Sequence, residues 1–194
     1  MARDNEITTE VTPHHLLLDM VSGLGTRGKI NPPLRSQETR SKLWEAFTRG
    51  LNDTIGSDHS PHTLDEKSED FDEAPSGMPG VETLLPLMLM KVAKKELNIS
   101  LLASRSATRP AEILGLKKGR IAKGYDGDLI AVNLRHHKKI RANNLHSKCG
   151  WTPYEGMEAI FPAITIIRGE EVARDGDITG ERIGRHCSTG AEQL

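Results

Sequence analysis

The residue pattern predicts an α/β chain that turns mostly β in its last third, and three features carry that expectation. Two short β-type runs, Ile7 to Thr12 and Thr54 to Ser57, flank a stretch of helical periodicity, the strand–helix–strand rhythm of a parallel unit. A second, strongly apolar helical stretch follows a long acidic loop from Asp65 to Glu73. Beyond Gly115 the chain becomes short apolar runs punctuated by Gly and Asp, the texture of strands and tight turns.

Taken in order, Ile7-Thr8-Thr9-Glu10-Val11-Thr12 is β-branched and reads as a strand closed by Pro13. Ser36 to Leu51 reads as a helix. Ser36 supplies a hydroxyl for the first free amides, and Leu43, Ala46, Phe47 and Leu51 recur on one face. Thr54-Ile55-Gly56-Ser57 is a second short strand. Gly80 to Leu97 is the strongest helix, with Pro86 bending or delimiting its first turns. A short helical pair follows, Leu101 to Ala107 and Pro110 to Leu114, Pro110 suiting a first helical turn. Gly119 to Val132 reads as two strands joined by a Gly/Asp turn. Phe161 to Val172 reads as a hairpin turning near Arg168 to Glu170. From Gly180 the chain has little apolar content and is expected to fray. The expected divisions are residues 1–115, 116–178 and a tail, 179–194.

Composition narrows the function classes. The net charge is -1 and the pI about 6.7, so no strong field recruits nucleic acid or a membrane surface. Arg135-His136-His137-Lys138-Lys139 is basic but has no aromatic platform beside it, and reads as a solvated loop. Cys149 and Cys187 lack metal-type spacing and suit a reducing compartment. The apolar run Leu84 to Met90 contains Pro86 and is too short to span a bilayer. The first six residues are polar, without a signal-peptide core. A cytoplasmic location is the expectation.

The chemistry gathers in Gly56-Ser57-Asp58-His59-Ser60-Pro61-His62. It sits where a strand opens into a loop, so Asp58 and His62 are expected to face one cavity. Taken alone, Asp58 is as well explained as a turn residue and His62 as a surface group. His59 faces the other way in an extended backbone and reads as structural. Upstream stands Lys29-Ile30-Asn31-Pro32-Pro33-Leu34-Arg35, and downstream Ala74-Pro75-Ser76-Gly77-Met78-Pro79-Gly80-Val81-Glu82-Thr83. In this order and spacing the blocks resemble the dihydroorotases, zinc enzymes of the amidohydrolase superfamily. Glu10 to Leu18, Ser106 to Leu116, Gly119 to Asp128 and Ser147 to Gly156 extend the resemblance over nearly the whole chain.

The resemblance implies the C-terminal part of a TIM-type (β/α)8 barrel, its last two strands and helices, followed by part of a small β-sandwich. It implies that Asp58 contacts zinc and acts as general base, and that His62 holds the substrate's carboxylate or ring carbonyl. Asn31, where hydantoinase- and allantoinase-type relatives tend to carry Ser, offers a donor and an acceptor in one plane, matching a cyclic ureide. Ser76 and Gly77 contact substrate through the backbone; the family often has an aromatic residue in place of Ser76, so only the main-chain role carries over. His14 and His15 are declined as ligands, because the family's histidine of this half belongs to the preceding strand.

A whole barrel takes about 250 residues. The sequence has no His-x-His pair, and no counterpart of the bridging carboxylate or modified lysine, the two further histidines, or the substrate-gripping arginine. The expectation is therefore the C-terminal half of a dihydroorotase, inactive until an N-terminal half completes it, acting on dihydroorotate and N-carbamoyl-aspartate. Homo-oligomerisation is a further expectation. The alternatives are a non-catalytic scaffold partnering aspartate transcarbamoylase, and a hydantoin-, dihydropyrimidine- or allantoin-hydrolysing relative.

Overall fold

A computed structural model describes residues 7–187. The expectations for residues 1–6 and for the last seven residues of the tail lie outside it; residues 181–187 carry no helix or strand. Strand β1 (Glu10–Val11) and strand β2 (Thr54–Ile55) pair in parallel, Glu10 opposite Thr54 and Val11 opposite Ile55. A short helix, α1 (Pro13–Leu17), follows β1 directly. Sequence reasoning treated Pro13 as a strand terminator and missed this helix. Its signal is Thr12-Pro13: the Thr12 hydroxyl accepts from the His15 amide, and Pro13 fits the first turn because no amide hydrogen is needed there.

The crossover between the strands is α2 (Gln37–Thr48), capped by Ser36, whose Oγ accepts from the Thr39 amide at 3.3 Å. It ends three residues before the expected Leu51, because Gly50 adopts a left-handed φ of 76° that stops the helix. Leu51 consequently lies outside the buried face and is 65% exposed, whereas Phe47 is fully buried.

Helix α3 (Leu84–Ala93) begins later than Gly80, since Gly80 to Thr83 form a turn closed by the Thr83 hydroxyl on the Gly80 carbonyl. The expected helical pair is one continuous helical segment: α4 (Ile99–Ala103), a π turn over Ser104–Thr108 and α5 (Arg109–Ile113). Asn98 caps its start through the Ser100 and Leu101 amides. The wider π turn accommodates Pro110, which lacks an amide hydrogen and crowds the preceding turn.

The later part holds β3 (Leu129–Ala131), β4 (Lys138–Lys139), β5 (Glu158–Ala159), β6 (Ile164–Ile167), β7 (Glu170–Arg174) and β8 (Asp177–Ile178). Strands β3, β6, β7 and β8 lie in that order in one antiparallel sheet, and β4 pairs with β5. The expected hairpin is β6–β7, turning at Arg168 and Gly169 with φ of 50° and 85°, the paired left-handed residues that a tight hairpin needs. Two expectations fail here. Gly119 to Lys123 form no strand; the segment is folded into turns tied down by Lys118, which ion-pairs with Asp126 and Asp128. Lys138 and Lys139, read as loop, form β4, with both side chains exposed.

Two apolar clusters hold this together. One joins Val11, Leu16, Phe47, Ile55, Met88 and Leu102; the other joins Leu18, Ile30, Met78, Trp151 and Tyr154. Ile160 belongs to the first cluster and its amide donates to the Pro86 carbonyl at 3.0 Å, so the chain beyond Gly115 packs directly on α3. Truncating Phe47 to Ala should lower unfolding free energy by about 3–5 kcal/mol in urea titration. Leu51→Ala, outside the packed face, should stay within about 0.5 kcal/mol of the parent chain.

Candidate active site

Because β1 and β2 are parallel, their C-terminal ends emerge on the same side, and the Gly56–His62 loop leaves β2 there beside α1. The Gly56 amide donates to the Val11 carbonyl at 2.9 Å, fixing where the loop starts. Asp58 is exposed and left-handed, φ 45°, a conformation that Asp tolerates better than most residues. His59 lies opposite Met78 in an isolated parallel bridge, and the Ser60 amide donates to the Met78 carbonyl at 3.1 Å. The His59 Nδ1 accepts from the Gly80 and Val81 amides at 3.0 and 3.3 Å, so that imidazole fixes the neighbouring loop.

His62 is part-buried, its Nδ1 3.8 Å from the Glu66 carboxylate and its carbonyl accepting from the Trp151 indole at 2.8 Å. Glu66 is kept acidic chiefly by the Thr63 amide, helped by the Thr63 hydroxyl and His62.

The other two blocks meet across the same face. The Gly77 amide donates to the Lys29 carbonyl at 3.0 Å, and Asn31 and Ser76 line one open cavity of about 420 Å³ with Lys29, Pro33 and Phe71. Gly77 has φ 141°, and a Cβ there would lie 2.5 Å from the Ser60 carbonyl oxygen, so any other residue would push the two loops apart. Asn31 precedes a cis peptide to Pro32, whose carbonyl oxygen is 2.9 Å from His15 Nε2. The same imidazole's Nδ1 is 2.7 Å from the Thr12 hydroxyl. His15 thus links the end of β1 to the Asn31 loop. A smaller cavity of about 200 Å³ is lined by His59, Glu82 and His146. Asp58 and His62 line neither of these two cavities.

The burial of two residues, Lys67 and His14, escaped sequence reasoning. Lys67, in the acidic loop, is 1% exposed, and its Nζ donates to three main-chain carbonyls. Its burial and the proximity of Lys29 lower its pKa. Nothing in a Glu-Lys-Ser run distinguishes this lysine from a solvated one. His14 is 1% exposed, and neither ring nitrogen has a hydrogen-bond partner. Burial first, then His15, pulls its pKa down to about 3, so the ring is neutral near pH 7.

Among the described residues no group of three or more His, Cys, Asp or Glu side chains is placed to hold a metal ion. No helix among them is long and apolar enough to cross a membrane.

The parallel strand pair, the loop block at its C-terminal end and the helical and β segments that follow have close counterparts in known proteins. The chain belongs to the amidohydrolase family, which it matches over residues 4–172. Curated relatives named dihydroorotase are among its matches. That of Halobacterium salinarum is 46% identical over 182 residues, and that of Thermoplasma volcanium 44% identical over 181. These alignments cover 92% and 93% of this chain but 43% of each relative, so the chain spans less than half their length. Among solved structures, the L-hydantoinase of Arthrobacter aurescens superposes with a TM-score of 0.85 at 33% identity, covering 90% of this chain and 41% of that one. The inactive dihydroorotase-like domain of a Chaetomium thermophilum CAD-like protein shares the fold, with a TM-score of 0.60 at 18% identity.

The neutral burial of His14 has a pH signature. Its folded pKa lies below the unfolded value of 6.5, so its contribution is complete above pH 6.5 and is lost as pH falls towards about 3. Lowering the pH from 7.5 to 5 should cost the parent chain about 2 kcal/mol through this group. A His14→Gln chain, compared by urea titration at both pH values, should lack that part of the loss.

Proposed function

We propose that this chain is the C-terminal portion of a dihydroorotase, residues 1–115 supplying the end of the barrel and residues 116–178 part of its β-sandwich. The reaction would be the reversible hydrolysis of the ring amide of (S)-dihydroorotate to N-carbamoyl-L-aspartate, a step of pyrimidine synthesis, in the cytoplasm. One observation supports this reading: Asn31 and Ser76, far apart in sequence, line one cavity, and the Gly77 amide beside Ser76 donates to the Lys29 carbonyl of the Asn31 loop. The 40–46% identity to dihydroorotases over about nine-tenths of the chain points the same way.

In this reading each side chain has a definite task. Asn31 meets the ring's adjacent N–H and C=O with its own carbonyl and amide. The Ser76–Gly77 main chain approaches the substrate closely because Gly77 has no side chain. His62 holds the carboxylate or ring carbonyl. Asp58 takes a proton from the attacking water as its oxygen bonds to the ring carbonyl carbon. It delivers that proton to the ring nitrogen as the carbon–nitrogen bond breaks, leaving the carboxylic acid and the carbamoyl nitrogen.

The family's metal, zinc by the resemblance, needs about three protein ligands for a catalytic site. This chain offers Asp58 without a surrounding donor set among the described residues, so its residues do not fit the ion unaided. The remaining ligands would come from an N-terminal half or another chain. Homo-oligomerisation and docking on aspartate transcarbamoylase are further partner proposals. The hydantoinase superpositions favour a second reading, hydantoin or dihydropyrimidine as substrate, but at 33% identity against 46% for a dihydroorotase they weigh less.

The test mixes the chain with an N-terminal half bearing the His-x-His pair and assays dihydroorotate, hydantoin and dihydrouracil. Dihydroorotate should be turned over preferentially. Asp58→Asn should cut kcat by about 10²–10⁴-fold with little change in KM. Turnover by the mixture that Asp58→Asn leaves intact would contradict the assignment.

A further inference from the structure

Lys67 occupies an unusual position for a lysine. It is 1% exposed, and its Nζ donates to the Lys29 carbonyl at 3.1 Å, the Pro75 carbonyl at 2.8 Å and the Gly77 carbonyl at 3.2 Å. An ammonium has three donors, and all three are used on main chain. Its carbonyl partners are not scattered. Lys29 stands two residues before Asn31, and Pro75 and Gly77 flank Ser76 on either side. The arrangement is reciprocal: the Lys29 Nζ reaches back to the Phe71 and Asp72 carbonyls at 2.6 and 2.9 Å, and the Thr26 hydroxyl donates to the Lys67 carbonyl. Two lysines, each holding the other's loop by its backbone, close a clasp around the cavity that Asn31 and Ser76 share.

Burying a cation without a carboxylate partner is costly unless every donor is satisfied. A buried lysine satisfied entirely by carbonyls therefore serves geometry rather than charge pairing.

We propose that Lys67 is a positioning residue that sets the distance between the Asn31 loop and the Ser76–Gly77 backbone, and so tunes affinity for the dicarboxylate or cyclic ureide bound between them. The affinity part rests on the function proposed above; the positioning part does not. Lys67 itself touches no reacting atom.

The experiment is hydrogen exchange on the full chain, followed by kinetics after mixing with the N-terminal half. Lys67→Met keeps the apolar stem and removes the donors. It should accelerate exchange of the Gly77 amide, which donates to the Lys29 carbonyl, by about tenfold, while amides of α2 keep their parental rates. In the mixed enzyme it should raise KM for dihydroorotate about tenfold with kcat within about threefold of the parent. If Lys67→Met does not fold, Lys67→Arg carries the test. A planar guanidinium cannot aim its donors at the same three carbonyls, so the same local acceleration is expected. Unchanged Gly77 exchange, or acceleration spread evenly over the chain, would overturn the positioning role. A fall in kcat with KM unchanged would overturn the affinity role. Absence of dihydroorotate turnover by the parent mixture would count against the proposed function, while the exchange result would still decide the clasp.

Discussion

Parallel pairing of Glu10–Val11 with Thr54–Ile55 is the constraint on which the rest of the molecule depends. Parallel strands end on the same side, so the chain must cross over between them, and α2 is that crossover. Phe47 and the flanking apolar side chains bury the crossover against β1, β2 and α3. Because the two strands end together, the Thr12–His15 segment and the Gly56–His62 loop are neighbours. His15 then reaches the Pro32 carbonyl, and Met78 pairs with the Gly56–His62 loop. The three blocks are thus joined through main-chain bonds, Gly77 to Lys29 and Ser60 to Met78, and through the His15, His59 and Lys67 side chains, which bond main-chain groups of the neighbouring loops.

Much of this was legible in the chain because local chemistry and tertiary context agreed. Ser36 at the start of α2, the two-residue turn at Arg168–Gly169 and the β-branched strands each follow from turn or cap chemistry visible in a few residues. The misses have a common physical cause. Whether Gly119 to Lys123 forms a strand depends on a pairing partner, and Lys118 instead draws the segment into turns with Asp126 and Asp128. Leu51 matches helical periodicity, yet Gly50 stops the helix before that periodicity applies. Thr12-Pro13 was informative in principle, since a hydroxyl followed by proline is a helix start as much as a strand end.

The proposed site divides in the same way. Asp58, His62, Asn31, Ser76 and Gly77 were identifiable because the motif blocks that contain them resemble a family. Their grouping depends on contacts spanning tens of residues. Asn31 and Ser76 line one cavity, and Asp58 and His62 stand on the Gly56–His62 loop outside its lining. The burial of Lys67 and His14 was not legible, because nothing local separates a buried lysine or a buried neutral histidine from a solvated one. The Asp58 carboxylate has no donor set around it among the described residues, and the alignments reach 43% of the relatives' length. In the proposed function the remaining metal ligands come from an N-terminal half or another chain.

The most direct measurement is a map of ligand contacts on the isotope-labelled chain mixed with its N-terminal complement, using N-carbamoyl-L-aspartate as the probe. Amide and side-chain resonances of Asn31, His62 and Gly77 should shift together, saturating at one ligand concentration. Shifts confined to the cavity lined by His59, Glu82 and His146, with Asn31, His62 and Gly77 silent, would contradict the proposed site.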